Sequence, residues 1–140
     1  MSNTNSIEEK LKSYMILKDE YAELEDNDPN SAYSIMKQAS ALLEYFETEE
    51  AETDKLLNMK KTNAESLESQ VALKESPNNV SKGEKLASCN NEVLHEWDEY
   101  YTAKCTHGRL VAIIKFLWRV YYDTKDNWTK SSQIQRRDNN

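Results

Sequence analysis

The second half of the chain contains a regularly spaced series of mostly apolar and aromatic residues, called a ladder below. Its thirteen positions alternate between four-residue and three-residue steps over about 45 residues. They are Leu86, Asn90, Val93, Trp97, Tyr100, Lys104, His107, Val111, Ile114, Trp118, Tyr121, Lys125 and Trp128. An α-helix has 3.6 residues per turn, so this spacing places every position on one helix face. It predicts a single helix over about 82–130, which Ser81 and Glu84 begin as a capping box.

A second ladder of twelve positions predicts an equally long helix over about 29–75. Asp28 is the expected N-cap and Pro29 the first helical residue. The ladder comprises Ala32, Met36, Ala39, Leu43, Phe46, Glu50, Thr53, Leu57, Lys60, Ala64, Leu67 and Val71. Three polar positions weaken the middle of this heptad seam. The segment Ser76-Pro77-Asn78-Asn79 ends the helix.

A shorter helix is predicted near the N-terminus, over about 6–25. Ser6 and Glu9 have the spacing of a capping box. The apolar positions that follow are Ile7, Leu11, Tyr14, Leu17, Tyr21 and Leu24. At the other end of the chain, residues 131–140 are polar and are expected to be frayed.

These three helices predict an all-α fold. Two glycines and two prolines in 140 residues are too few for the turns of an all-β fold, and they exclude glycine-rich phosphate loops. Two long helices joined by a short connection must lie antiparallel. We therefore expect a single elongated domain over 1–140: a coiled-coil-like antiparallel hairpin with the shorter N-terminal helix packed on it.

The strip from Leu110 to Tyr122 is too apolar for one helix contact. Eleven of its thirteen residues are apolar or aromatic, so they cover more than one helix face. The first helix, further subunits or another apolar surface could cover the remainder. We expect self-association into a homo-oligomer, with interface residues Leu110, Ile113, Ile114, Leu117, Trp118 and Tyr121. A bilayer span needs about 20 apolar residues, so no membrane association is expected.

Charge is distributed unevenly along the chain. The net charge is −7, but residues 1–79 contribute −9 and residues 80–140 contribute +2. The late cations lie among tryptophans and tyrosines, and single-stranded nucleic acid needs both countercharge for phosphates and flat faces for bases. This pattern points to phosphate contacts by Lys115, Arg119, Lys125 and Lys130. The alternative is that the aromatic residues form the core and the cations a solvated face.

The sequence offers little for catalysis. His95 and His107 lie in no nucleophile or metal spacing, so no enzymatic activity, metal site or cofactor is expected. Cys89 and Cys105 would be about 24 Å apart on one helix and could not pair, as is usual in a reducing compartment. The first twelve residues carry no apolar targeting segment, so a cytoplasmic location is expected.

From Ser81 to about Lys130 the chain resembles the C-terminal region of the small phage recombination mediators of the UvsY type. The similar pieces, in matching order, are Ala87-Ser88-Cys89-Asn90-Asn91-Glu92-Val93, Tyr100-Tyr101, Leu110 with Ile113-Ile114-Lys115, and Arg119 with Tyr122 and Lys125. The acidic first half and the tail Gln133-Ile134-Gln135-Arg136-Arg137 depart from the family pattern. The resemblance implies a ring-forming oligomer, located in the host cytoplasm if phage-encoded. It would bind single-stranded DNA and help a RecA-like recombinase displace single-strand-binding protein.

Two functions therefore remain open. The first is the non-enzymatic recombination mediator. The second is an acidic helical protein-interaction module, such as a phage accessory or DNA-mimicking inhibitory protein that binds no nucleic acid. Its contact face would be acidic and would include Glu47, Glu49, Glu50 and Glu52.

Overall fold

A computed structural model describes residues 2–138 of the chain, with the side chains of 6–134, 136 and 137. The backbone forms four α-helices: α1 Ser2–Ala22, α2 Pro29–Glu75, α3 Val80–Ser88 and α4 Asn91–Asp138. No strand occurs within this range. The chain divides into two compact units. The terminal unit comprises the chain up to Glu47 and from Ala112 onward, and the central unit comprises Thr48–Val111.

Within each unit α2 and α4 lie antiparallel, because partners that come later on α2 come earlier on α4. In the terminal unit, Tyr33 contacts Trp128 and Glu47 contacts Trp118. In the central unit the pairs are Glu50 with His107, Lys60 with Glu99, and Glu68 with Trp97. The predicted all-α hairpin with a shorter N-terminal helix is confirmed.

The terminal unit is built from three helices around an apolar core. Leu17, Phe46, Leu117 and Val120 are fully buried there, one or more from each helix. The Tyr14 ring of α1 meets the edges of Phe46 and Phe116, and Tyr21 meets Phe116 as well. Helix α1 therefore covers part of the apolar strip that α2 alone cannot bury.

The central unit has a thinner core and more polar contacts between its helices. Ala64, Ala87 and Val93 are its fully buried apolar residues. Two of the polar ladder positions pair across the seam: Glu50 Oε1 lies 2.9 Å from His107 Nε2, and Lys60 Nζ lies 3.1 Å from Glu99 Oε2. The hydrogen bond from Lys60 lowers the pKa of Glu99. Two of the three polar positions in the middle of the second ladder therefore form polar contacts between α2 and α4.

The helix ends differ from the sequence prediction in several places. Asp28 caps α2 as expected, since its carboxylate accepts hydrogen bonds from the backbone N–H and the hydroxyl of Ser31. Ser6, however, lies inside α1, which begins at Ser2 and ends at Ala22. The start of α3 is capped by Asn79, not Ser81, because Asn79 Oδ1 accepts from the Lys82 backbone N–H at 3.1 Å.

The continuous helix predicted over 82–130 is interrupted at Cys89 and Asn90. Cys89 N–H donates to Leu86 O and Asn90 N–H donates to Ala87 O, which tightens the end of α3 into three-residue turns. Asn90 Oδ1 then accepts from the N–H groups of Glu92 and Val93, so its side chain starts a new helix. The 4–3 ladder runs through this break unchanged, which is why spacing alone did not detect it.

Within the predicted frayed tail over 131–140, the chain is helical as far as Asp138, and residues 139 and 140 lie outside the described residues. No glycine or proline follows Gly108, so nothing in the sequence stops α4 before that point. Trp128 packs against Tyr33 with ring centroids 5.3 Å apart, which anchors the helix shortly before the polar segment begins.

Candidate nucleic-acid interface

The solvent face of α4 in the terminal unit presents a stacked pair of aromatic rings. Trp118 and Tyr122 are one helical turn apart, their ring centroids lie 5.4 Å apart, and their planes are inclined by only 23°. Trp118 is 37% exposed and Tyr122 is 56% exposed. The pair therefore offers water a flat aromatic surface.

The orientation of Trp118 is set by two contacts. Its indole Nε1 donates a 2.9 Å hydrogen bond to Glu47 Oε1 on α2. The edge of its ring meets Tyr121, with centroids 5.8 Å apart and planes at 88°. These contacts hold the indole in one position, so the exposed surface is preorganised rather than formed on binding.

The four predicted phosphate-binding cations are all exposed on the same segment of α4. Lys115 lies two helical turns before Tyr122 and Arg119 lies one turn before it. Both are on the helix face that carries the Tyr122 ring. Lys125 Nζ lies 5.8 Å from the centroid of the Tyr121 ring, and Lys130 lies further along the helix. Within the described part of the chain, no carboxylate forms an ion pair with any of these four. Their charges are available to a ligand.

One carboxylate on this segment is held by α1. The hydroxyl of Tyr21 donates a hydrogen bond to Asp123 Oδ2. Burial, and then this hydrogen bond, raises the pKa of Tyr21 to about 12. Asp123 is therefore engaged with α1.

The predicted oligomer-interface residues are placed in different surroundings. Leu117 is fully buried within one chain, in the core that α1, α2 and α4 form, so its side chain has no surface exposed to a second subunit. Leu110, Ile113, Ile114 and Tyr121 are half-buried, and Trp118 is exposed. Self-association through these five remains a prediction.

A second copy of the aromatic cluster, which sequence reasoning missed, lies in the central unit. Trp97, Tyr100 and Tyr101 repeat the spacing of Trp118, Tyr121 and Tyr122, three heptads earlier. The ring geometry is repeated as well: Trp97 lies edge-on to Tyr100 at 5.6 Å and is tilted by 32° to Tyr101 at 6.1 Å. Its Nε1 donates a 3.0 Å hydrogen bond to Glu68, three heptads after Glu47. The repeated motif Trp-x-x-Tyr-Tyr was the signal available in the sequence.

The two copies differ in the charges around them. Residues 113–127, around Trp118, contain three cations and two carboxylates, whereas residues 92–106, around Trp97, contain one lysine and four carboxylates. Similar aromatic geometry thus stands in basic surroundings in one unit and in acidic surroundings in the other. Only the basic copy has the countercharge that a polyanion requires.

Both histidines of the chain lie against carboxylates. His95 pairs with Glu99 on the surface, and His107 lies 3.8 Å from Asp54 besides its contact with Glu50. Over residues 2–138, no group of three or more metal-ligating side chains is placed to hold an ion. Cys89 and Cys105 are free and exposed. No helix in the described range is long and apolar enough to cross a membrane.

Comparison with known proteins gives no further assignment. No protein-family model, curated protein or solved structure matches the sequence.

Proposed function

We propose that the protein is a non-enzymatic recombination mediator that binds single-stranded DNA through the face of α4 around Trp118 and Tyr122. The observation that carries this proposal is the exposed, stacked aromatic pair flanked by unpaired cations. An unstacked base needs a flat apolar surface and its phosphate needs a positive charge. Both are present within three helical turns.

The binding mode follows from this arrangement. A base stacks on the exposed face of Tyr122 and so extends the Trp118–Tyr122 stack by one ring. Lys115 and Arg119 then precede the bound base along α4. Lys125 and Lys130 follow it, toward the C-terminal end of the helix. Every base has an aromatic face, so such a site binds single strands with little sequence preference.

The net charge of −7 opposes DNA binding over long distances, but the local balance is different. Between Ala112 and Asp138, α4 contains six basic and three acidic residues. The Debye length at physiological salt is about 8 Å, so the charges next to the strand dominate the interaction. The acidic residues of the rest of the chain reduce the affinity without removing the site.

The mediator role itself comes from the resemblance of residues 81–130 to the UvsY type. We propose on that basis that the protein acts as a homo-oligomer in the cytoplasm, of a host cell if phage-encoded. There it would help a RecA-like recombinase displace single-strand-binding protein. Sedimentation of the protein with and without DNA measures the oligomeric state. Recombinase loading onto DNA covered by single-strand-binding protein measures the activity.

The acidic protein-interaction module is the second candidate. Two of the four carboxylates proposed for its contact face are engaged inside the chain, because Glu47 bonds Trp118 and Glu50 contacts His107. Glu52 is exposed and is the cleaner position at which to test it. Under this alternative, Glu52→Lys weakens partner binding and no single-stranded DNA is bound.

The first experiment measures the fluorescence anisotropy of a labelled single-stranded oligonucleotide at low and near-physiological salt. We expect affinity to fall as salt rises. Each neutralised phosphate contributes about −0.7 to the slope of log affinity against log salt for single strands. The variant K115A/R119A/K125A should therefore have a slope shallower by about 2. The absence of binding at low salt would refute the proposal and leave the acidic module.

The aromatic contribution has a matched control in the second copy of the cluster. Tyr122→Ala removes a ring that stacks on Trp118, and Tyr101→Ala removes the equivalent ring in acidic surroundings at nearly the same exposure, 55%. Stacking of one base is worth about 1–3 kcal/mol, so Tyr122→Ala should weaken DNA binding by roughly 5- to 100-fold. Tyr101→Ala should leave it within about a factor of two. Equal effects of the two variants would contradict the assigned site.

A further inference from the structure

A groove lies in the central unit where α3 packs against the end of α2. Its volume is about 620 Å³, and its lining includes Glu65, Glu68, Glu84, Leu73, Pro77 and Val80. Leu73 is 67% exposed and Val80 is 73% exposed, so two large apolar side chains face water at one place. The groove therefore combines an apolar surface with three carboxylates.

The charge inside the groove has a single sign. No cation belongs to its lining, although Lys74, Lys82 and Lys85 occur on the same two helices in the described chain. Glu65 and Glu84 are exposed and form no ion pair with another described residue. The occupant that complements such a surface carries positive charge beside an apolar side chain.

One side of the groove is closely packed. Gly83 of α3 is buried, and a Cβ added there would overlap the backbone carbonyl oxygen of Ala72 on α2. Asn79 caps α3 and fixes its start next to Pro77. A preformed groove lowers the ordering cost of binding a peptide.

We propose that this groove docks a basic, arginine-containing segment of a protein partner. An apolar side chain of the segment covers Leu73 and Val80, and guanidinium groups pair with Glu65 and Glu84. Arginine fits better than lysine because its planar fork can bind a carboxylate through two hydrogen bonds. The groove shares no residue with the proposed DNA-binding face of α4, and the inference does not depend on the proposed function.

Glu68 connects the groove to the aromatic cluster of the central unit. Glu68 belongs to the lining of the groove, and its carboxylate accepts the hydrogen bond from Trp97 Nε1. A guanidinium in the groove competes with Trp97 Nε1 for the Glu68 carboxylate. The indole N–H signal of Trp97 is therefore a local reporter of occupancy, whereas the signal of Trp118 in the other unit is not.

The test uses the full chain and a labelled amphipathic peptide of about twelve residues, with arginines on one face and leucines on the other. Its anisotropy is followed as protein is added, and proton–nitrogen spectra of the three tryptophan side chains are recorded in parallel. A peptide with glutamate in place of each arginine is the ligand control. E65Q/E84Q and Leu73→Ser are the groove variants, and Asp98→Asn, at an exposed carboxylate of α4 in the same unit, is the matched control.

We expect the arginine peptide to bind and to shift the Trp97 signal. Exposed ion pairs contribute about 0.2–1 kcal/mol each, so E65Q/E84Q should weaken binding about 2- to 30-fold. Leu73→Ser, which removes apolar contact area, should weaken it by about tenfold. Asp98→Asn should leave the affinity unaltered within the error of the titration. The DNA affinity of both groove variants should remain that of the unaltered chain.

Four results would overturn the proposal. Equal binding of the glutamate peptide, or no binding of the arginine peptide, would show that the groove does not select positive charge. Equal effects of E65Q/E84Q and Asp98→Asn would place the peptide elsewhere. If E65Q/E84Q instead abolished self-association of the protein without peptide, the occupant would be a second copy of this chain.

Discussion

The two glycines of the chain provide a matched pair of substitutions that tests how α3 packs on α2. A Cβ added at Gly83 would overlap the carbonyl oxygen of Ala72 and lie 3.1 Å from its carbonyl carbon. Both atoms belong to the backbone of α2 and cannot rotate away, so α3 would have to move. A Cβ added at Gly108, in α4, would meet nothing within 4 Å.

The expected energies differ in sign. Alanine is favoured over glycine inside a helix by about 0.8–1.0 kcal/mol, so Gly108→Ala should stabilise the protein by nearly that amount. Gly83→Ala has a similar helix preference in its favour, but overpacking of a tight contact costs about 1–3 kcal/mol. We therefore expect Gly83→Ala to be less stable than Gly108→Ala by about 1–3 kcal/mol.

Urea unfolding followed by circular dichroism measures this difference. The two variants should have equal slopes with urea and separate midpoints, so that the midpoint shift reports stability. Amide exchange within α3 should also be faster in Gly83→Ala, because the altered contact is local. If Gly83→Ala were as stable as Gly108→Ala, the close approach of α3 to α2 would not exist in solution.

Three further predictions concern stability. Phe46→Ala should destabilise the protein by about 3–5 kcal/mol, because the ring is fully buried. Urea unfolding measures this loss, and a value below about 1 kcal/mol would contradict the burial. Asn90→Ala should cost about 1 kcal/mol, because Asn90 caps α4, and unchanged stability would argue against the break. One tyrosine should titrate near pH 12 by ultraviolet absorbance, and Tyr21→Phe should abolish that step. Burial and the Asp123 hydrogen bond raise the pKa of Tyr21 above 10. The contribution of Tyr21 to the free energy of unfolding is therefore complete below pH 10 and declines as pH rises toward 12.

Much of the candidate DNA-binding site was predictable from local sequence. Cations and aromatic rings that recur every three or four residues must share a helix face, so Lys115, Arg119 and Tyr122 could be grouped before any tertiary contact was known. The repeat of Trp-x-x-Tyr-Tyr was also present in the sequence. What spacing could not supply was the exposure of each ring, because exposure depends on which side of α4 the other helices occupy.

Leu117 and Trp118 show why that side is a tertiary property. They are neighbours on one helix and point about 100° apart, so a helix can bury one and expose the other. The strip around them is apolar on most sides, and its composition does not distinguish the two. The positions of α1 and α2 bury Leu117 completely and leave Trp118 partly exposed with its indole on Glu47.

The sequence by itself determined that the chain is helical and that its long helices pair antiparallel. The physical reason is local: 4–3 spacing, an Asp28 cap and a scarcity of glycine and proline act within a few turns of the backbone. Only the tertiary structure decided which apolar side chains are interior and where α3 leaves an acidic groove. These features depend on contacts between residues far apart in sequence, such as Gly83 against Ala72 and Tyr14 against Phe116, whose positions no local pattern encodes.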